Sequence, residues 1–256
     1  MSIIDLFRLD GEVAVVTGAG TGIGRGIALG LASAGADVVV AARRAPMIEA
    51  VADEIRALGR KALAVPTDVM DEAQIQALID AAVAHFGKID IWVNNAGGMQ
   101  GERPVVLRQH TDETFGHIMD LNFTAVWKCI ALAQAAISPG GRIINVSSIA
   151  ATRDGTPTNG PYGAAKAAVN HLTKTYAHEL ARRRIRVNAI APGTVDTEDL
   201  REAIRATDEQ VEAMAKNQLL GRLGNPETDF GAAAVYLASR ASDWVTGQVL
   251  TVSGMP

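Results

Sequence analysis

Seven short apolar runs punctuate the chain, near residues 13–17, 37–41, 61–65, 89–93, 142–147, 185–190 and 248–252. VAVVT and DVVVA are apolar on both faces and rich in β-branched side chains, the pattern of a strand buried inside a parallel sheet. Between the runs the apolar positions recur at helical spacing, near 22–34, 46–58, 71–86, 111–137, 161–183 and 226–239. Regular β/α alternation predicts a doubly wound α/β sheet of about seven parallel strands with helices on both faces. No repeat, low-complexity tract or linker divides the chain, so residues 1–256 read as one domain. The stretch 197–218, TEDLREAIRATDEQVEAMAKNQ, reads as a charged helical flap over a cleft.

Sheets of this kind bind ligands beyond the carboxyl ends of their strands, where the strand order reverses. Four segments follow strands directly and are expected to converge there: Gly18–Gly24, Asn94–Gly97, Ser148 and Pro192–Gly193. The first, Gly18-Ala19-Gly20-Thr21-Gly22-Ile23-Gly24, joins a strand to a helix. Its glycines allow a tight turn and close backbone approach, and the helix start offers free N–H groups to a pyrophosphate. A plain strand-to-helix turn fits the same letters. At the end of the second strand, an acidic residue would grip a ribose 2′-hydroxyl. Ala42, Arg43 and Arg44 stand there instead, and Asp37 lies at the wrong end of the strand. Two guanidiniums suit a 2′-phosphate, which predicts NADP(H) as preferred cofactor with NAD(H) also accepted. The alternative is that both arginines only solvate a loop.

Tyr162 and Lys166 lie four residues apart on one helix face, after Ser148 in IINVSS. Phenol, ammonium and hydroxyl together can pass a proton to or from a carbinol oxygen. An adjacent cation favours the phenolate, so Lys166 is expected to hold Tyr162 below the ordinary tyrosine value. The pair alone also fits a half-buried tyrosine beside a snorkelling lysine. Asn122 falls within an apolar stripe of the 111–137 helix. A buried amide there needs a perturbed helix or a neighbouring loop to satisfy it. Such an amide could order a water that links Lys166 to solvent, or simply be satisfied by the loop.

Composition narrows the partners. The 256 residues carry 24 Lys+Arg against 28 Asp+Glu, so nothing suggests nucleic acid or an anionic membrane. The single cysteine, Cys129, excludes an internal disulfide framework, and the five histidines show no metal-ligand spacing. MSIIDLFRLDGE has no signal-peptide pattern, and no apolar run is long enough to span a bilayer. A soluble, metal-free cytoplasmic protein is expected.

The ordered set TGAGTGIG (17–24), Asp68-Val69, NNAG (94–97), Asn122, Ser148, YGAAK (162–166) and RVNAIAPG (186–193) resembles the short-chain dehydrogenase/reductase family. GRLGNPE (221–227) and WVTGQVLTVSG (244–254) extend that resemblance over nearly the whole chain, in the family's compact single-domain branch with its Rossmann-type fold. The resemblance implies Tyr162 as catalytic acid/base and Lys166 as its partner and the nicotinamide-ribose ligand. It implies Ser148 as the residue that orients the substrate oxygen and Asn122 as the holder of a relay water. Gly18, Gly20, Thr21, Gly22, Ile23 and Gly24 would line the pyrophosphate. Asp68, Val69, Asn95, Ala96 and Gly97 would flank the adenine side of the cleft. Pro192, Gly193, Thr194, Val195 and Thr197 match positions near the carboxamide.

The expected activity is that of a short-chain alcohol dehydrogenase or carbonyl reductase. The chain is similar to bacterial hydroxysteroid dehydrogenases and to 3-oxoacyl-carrier-protein reductases. The preferred expectation is a small-molecule ketone or alcohol as substrate. The carrier-protein reductase is the alternative, with Arg182-Arg183-Arg184 as a basic surface, and a non-catalytic NADP(H)-sensing regulator is a remote one. A homotetramer or homodimer through helices 111–137 and 161–183 is implied. Two departures from the family stand out: the Ser–Tyr spacing is one residue longer, with loop 149–161 carrying the insertion, and the chain ends Ser253-Gly254-Met255-Pro256. Segments 97–110, 149–161 and 197–218 are expected to set specificity.

Overall fold

The computed structural model describes residues 2–99, 105–152, 158–198, 200–201 and 206–254. Seven strands form one parallel sheet: β1 (Val13–Thr17), β2 (Asp37–Ala42), β3 (Ala62–Pro66), β4 (Ile89–Asn94), β5 (Ile137–Val146), β6 (Arg186–Pro192) and β7 (Val249–Val252). Their order is β3-β2-β1-β4-β5-β6-β7, so the expected Rossmann-type sheet is present. Winding reverses between β1 and β4, which opens a crevice beyond their carboxyl ends.

Alternation along each strand divides the core into two layers. Ala14, Val16, Val38 and Val40 join Ile27, Leu31, Ile48 and Phe230 on one face of the sheet. Val15, Val39 and Trp92 join Ile75, Leu78, Ile130 and Val169 on the other. Two-sided burial is the physical reason why these strands are apolar throughout rather than alternating.

Among the described residues the α-helices with defined ends are α1 (Gly22–Ser33), α2 (Ala45–Ala57), α3 (Glu72–Phe86), α4 (Asp112–Met119), α5 (Ala125–Ala133), α6 (Gly160–Glu179), α7 (Asp208–Lys216) and α8 (Ala232–Ala238). Three boundaries differ from the sequence expectation. The helix read over 111–137 is broken by a π-helical turn, Asp120–Thr124, and ends at Ala133. The helix read over 226–239 opens with another π-helical turn, Pro226–Gly231. β5 starts at Ile137, before Pro139-Gly140-Gly141, and pairing jumps from Ile89↔Ile137 to Ile91↔Arg142. A bulge at this Pro-Gly-Gly step reads as a turn in sequence because its ladder is interrupted.

Candidate active site

The glycine turn is held from beside the sheet. Thr17 Oγ1 donates to Val93 O at 3.1 Å and accepts from the N–H groups of Asn95 and Ala96 at 3.0 and 3.2 Å. Asn95 Nδ2 donates to the carbonyls of Thr17 and Gly18, each at 3.0 Å. Gly18 has φ +63°, and a methyl group there would lie 2.7 Å from Ala96 Cα. Only glycine fits both the conformation and the space. Thr21 caps α1 without a side-chain hydrogen bond, and no acidic residue occupies its first turn. The α1 N–H groups are therefore left to an anion, which fits the diphosphate of a dinucleotide.

The outer end of the crevice suits an anion too. Arg43 and Arg44 are exposed just past β2, and neither guanidinium has an ion pair or hydrogen bond among the described residues. Asp68 is half-buried after β3 and accepts from the Met70 N–H at 3.0 Å. Val69 commits its side chain to the core. At the other end, Gly193 N–H donates to Val252 O at 2.9 Å, and Thr194 O accepts from Gly224 N–H at 3.0 Å. Val195 is buried and bridges to Gly224. These bonds carry Thr197 back over the glycine turn, where its Cγ2 would lie 3.2 Å from a methyl group on Gly22.

Ser148 follows β5 and Tyr162 lies in the first turn of α6, where the serine hydroxyl is near enough to the phenol to favour its ionised form. Ala150, two residues past Ser148, meets α6 closely, since a methyl group on Gly163 would lie 2.9 Å from Ala150 O. One turn along α6, Lys166 is buried, and its Nζ donates to Val146 O at 2.9 Å and stands 5.7 Å from the Tyr162 ring centre. Asn122 is fully buried at the π-helical turn. Its Oδ1 accepts from Gly98 N–H at 2.8 Å, and its Nδ2 donates to Gly98 O and Ile118 O, each at 3.0 Å. The perturbed helix and the neighbouring loop that a buried amide required are both present. A methyl group on Gly97 would lie 2.8 Å from Asn122 Oδ1 and 3.2 Å from Lys166 Nζ, so both polar ends meet at that glycine.

The electrostatics correct one expectation. Tyr162 is not held below the ordinary tyrosine value: burial pushes its phenol up, and the Ser148 hydrogen bond offsets only part of that. Burial also pulls Lys166 down to about 8, so its charge is itself costly, and its proton is aimed at Val146 O rather than at the phenolic oxygen.

The residues that fix this geometry without being singled out in sequence are Thr17, Asn145 and Thr173. Trp92 Nε1 donates to Asn94 Oδ1 (2.7 Å), Asn94 Nδ2 to Asn145 Oδ1 (2.9 Å) and Asn145 Nδ2 to Thr173 Oγ1 (2.9 Å). This buried chain ties β4, β5 and α6 into one register. Its sequence signal is a polar residue closing each apolar strand run. Parts of the expected specificity segments, residues 100–104, 153–157, 199 and 202–205, lie outside the described residues, as do Met255 and Pro256. Among the described residues no group of histidine, cysteine, aspartate and glutamate could hold a metal ion, and no helix is long and apolar enough to cross a membrane.

The profile of a family described as enoyl-(acyl carrier protein) reductase matches residues 18–254. The 7alpha-hydroxysteroid dehydrogenase of Escherichia coli K12 is 40% identical over 252 residues, covering 98% of this chain and 96% of that protein. A solved 7alpha-hydroxysteroid dehydrogenase, complexed with NADH and 7-oxo glycochenodeoxycholic acid, superposes with a TM-score of 0.91 at 39% identity, covering 99% of this chain and 97% of its own. A short-chain dehydrogenase from Burkholderia cenocepacia J2315 in complex with NADP gives a TM-score of 0.87 at 32% identity, covering 97% and 98%.

Proposed function

Because this chain belongs to the short-chain dehydrogenase/reductase family, we propose that it interconverts a ketone and a secondary alcohol, with NADP(H) preferred over NAD(H). That it is an oxidoreductase using a nicotinamide dinucleotide follows from the family. The substrate class and the cofactor preference are our inference. The observation that carries it is the meeting of Ser148, Tyr162 and Lys166 beside the glycine turn.

A nicotinamide dinucleotide held by the Gly18–Gly24 turn and Lys166 would supply or accept the hydride at the carbinol carbon. The chain's own residues handle the proton. In reduction, Tyr162 Oη donates its proton to the carbonyl oxygen as negative charge develops there. Ser148 Oγ, beside the same phenol, orients that oxygen and shares the charge. Lys166 then stabilises the tyrosinate that remains, and Asn122 holds the route by which the proton is replaced. In oxidation the same groups run in reverse. A phenol raised by burial keeps its proton near neutrality, which suits the reducing direction.

A hydroxysteroid or another compact ketone is the substrate class this reading favours, by similarity to the 7alpha-hydroxysteroid dehydrogenases. A 3-oxoacyl carrier-protein substrate is the second reading, and the family profile's own description keeps it in view. One observation weighs against it. Arg182, Arg183 and Arg184 line a crevice with Pro139 and Gly140 just before β6, at the amino edge of the sheet, opposite Tyr162. Association through α4, α5 and α6 into a homodimer or homotetramer is part of the proposal, supported by the exposed Phe115 and Trp127 on α4 and α5.

The test is an absorbance assay of NADPH and NADH with keto-steroids, cyclic ketones and 3-oxoacyl thioesters. Turnover of keto-steroids or cyclic ketones is expected. Activity confined to acyl thioesters would reverse the substrate assignment.

A further inference from the structure

Resting on that reading, the buried chain of hydrogen bonds from β4 to α6 bears on where the phenol stands. Its direction is fixed at both ends. Trp92 Nε1 can only donate and Val169 O can only accept, so each amide between them has one orientation. Asn94 therefore donates to Asn145 Oδ1, Asn145 Nδ2 to Thr173 Oγ1, and the Thr173 hydroxyl to Val169 O at 2.8 Å. Asn145 and Thr173 are both fully buried. Asn145 immediately precedes Val146, whose carbonyl accepts from Lys166 Nζ, and Ser147 Oγ donates to Lys166 O at 3.2 Å. Three consecutive residues at the end of β5 thus grip α6, at Thr173 and at Lys166.

Those grips decide something that apolar packing does not. α6 otherwise joins the sheet through the layer that holds Val169, Tyr176 and Ala177 together with Ile143 and Val187. Apolar contact is non-directional, so it holds the helix down without choosing how far it slides along the strand. Hydrogen bonds do choose, because they weaken steeply outside a narrow range of distance and angle. Ser148 belongs to the end of β5 and Tyr162 to α6, so a slide of the helix changes the separation of their side chains. Each helical residue advances about 1.5 Å, which puts Thr173 roughly 16 Å from Tyr162 along the axis, well away from the reacting atoms.

We propose that Thr173 is a positioning residue: bonded to Asn145, and with the Ser147–Lys166 bond as a second pin, it sets the slide of α6 along β5 and so the placement of the Tyr162 phenol against the Ser148 hydroxyl. No covalent bond changes. A misplacement of about 1 Å between reacting groups is enough to slow catalysis heavily, even when its origin is distant.

The experiment compares wild type with Thr173→Val, Thr173→Ser and Ser147→Ala in the full-length protein. Melting temperature is measured first. The pH dependence of kcat is then read for oxidation of the alcohol that matches whichever keto-steroid or cyclic ketone wild type reduces. Separately, the tyrosinate absorbance midpoint of Tyr162 is isolated by subtracting the same variant carrying Tyr162→Phe. Thr173→Val keeps the side-chain shape but removes the acceptor. Its kcat should fall about tenfold. Both midpoints should move up, because a phenol farther from Ser148 loses the hydroxyl that favours its ionised form. Thr173→Ser keeps the hydroxyl and should restore kcat and both midpoints, whatever its melting temperature. Ser147→Ala should shift the same quantities in the same direction by less, and it decides the matter if Thr173→Val does not fold.

A lowered melting temperature in Thr173→Val with wild-type kcat and midpoints overturns the proposal. So does failure of serine to restore them, or wild-type values in Ser147→Ala where Thr173→Val does not fold. Wild type that turns over none of these compounds overturns the functional reading, while the tyrosinate midpoints still decide whether Thr173 places the phenol.

Discussion

Lys166 aims its ammonium at the carbonyl oxygen of Val146, 2.9 Å away at the end of β5, and is buried in doing so. That single bond fixes the lysine beneath the Tyr162 ring and explains why its proton is loosely held. One backbone acceptor does not replace the water that burial removes, and the group falls from 10.5 to about 8.

The consequence for stability has a definite sign. Between about pH 8 and pH 10.5 the unfolded chain keeps a proton on Lys166 that the folded chain has lost, so stability rises with pH through that window. Below it, the full cost of the buried charge is present. Tyr162 is raised by burial, so its ionisation favours the unfolded chain above pH 10 and closes the useful range. Wild type should gain about 2–3 kcal/mol relative to Lys166→Met from pH ~8 to pH ~10, read as chemical-denaturation midpoints. Parallel curves for the two proteins would show that the lysine is not strained by burial.

Tyr162→Phe removes the proton and keeps the ring. Ser148 loses its phenolic partner, but its Oγ still accepts from the Ala150 N–H at 3.1 Å, so the loop is held. Turnover should fall by about 10²–10⁴, the range for a lost general acid. NADPH affinity, measured by fluorescence titration, should change little. Near-normal turnover with intact binding would remove the mechanism.

The strands and the glycine turn are legible because buried parallel strands must be apolar on both faces and a dinucleotide turn must lack side chains. VAVVT and TGAGTGIG announce both at once. The Ser148, Tyr162 and Lys166 cluster is legible for a different reason: one helix turn and one strand end determine it. What stays hidden depends on contacts distant in sequence. The π-helical turn at Asn122 exists because that amide turns to Gly98, a partner 24 residues away that helical periodicity does not report. The raised Tyr162 is hidden likewise. Sequence shows the cation four residues on, but not that it is spent on Val146 or that desolvation outweighs the hydroxyl at Ser148 around the half-buried phenol. The β5 bulge hides because Pro139-Gly140-Gly141 has turn chemistry, and only pairing with β4 makes it part of a strand.

Asn122→Leu tests that hidden contact. The substitution fits the apolar surroundings but leaves the Gly98 N–H and C=O without their partner. An unsatisfied buried group costs about 1–3 kcal/mol, and because Gly98 is only half-buried a loss of roughly 1–3 kcal/mol in unfolding free energy is expected. Turnover should fall as well, because the Gly97–Gly98 backbone and Lys166 Nζ share this corner of the site. Denaturation midpoints and steady-state kinetics check both. A variant as stable as wild type would mean that the loop finds water or another partner.

The proposed preference for NADP(H) rests on Arg43 and Arg44. Their guanidiniums stand exposed just past β2 with no partner among the described residues, where a 2′-phosphate would give each a charge-assisted bond. Hydrogen bonds to charged groups are worth about 1.5–3 kcal/mol, so losing one arginine should weaken NADPH by roughly ten- to a hundredfold. NADH has no phosphate at that position and should be bound almost as before. Arg43→Ala and Arg44→Ala should therefore each narrow the NADPH-to-NADH ratio of kcat/KM, and the double substitution should reverse it. If both nucleotides weaken equally, the arginines support the loop rather than read the phosphate. If wild type already prefers NADH, the acid missing at Ala42 is not needed to grip the ribose in this chain.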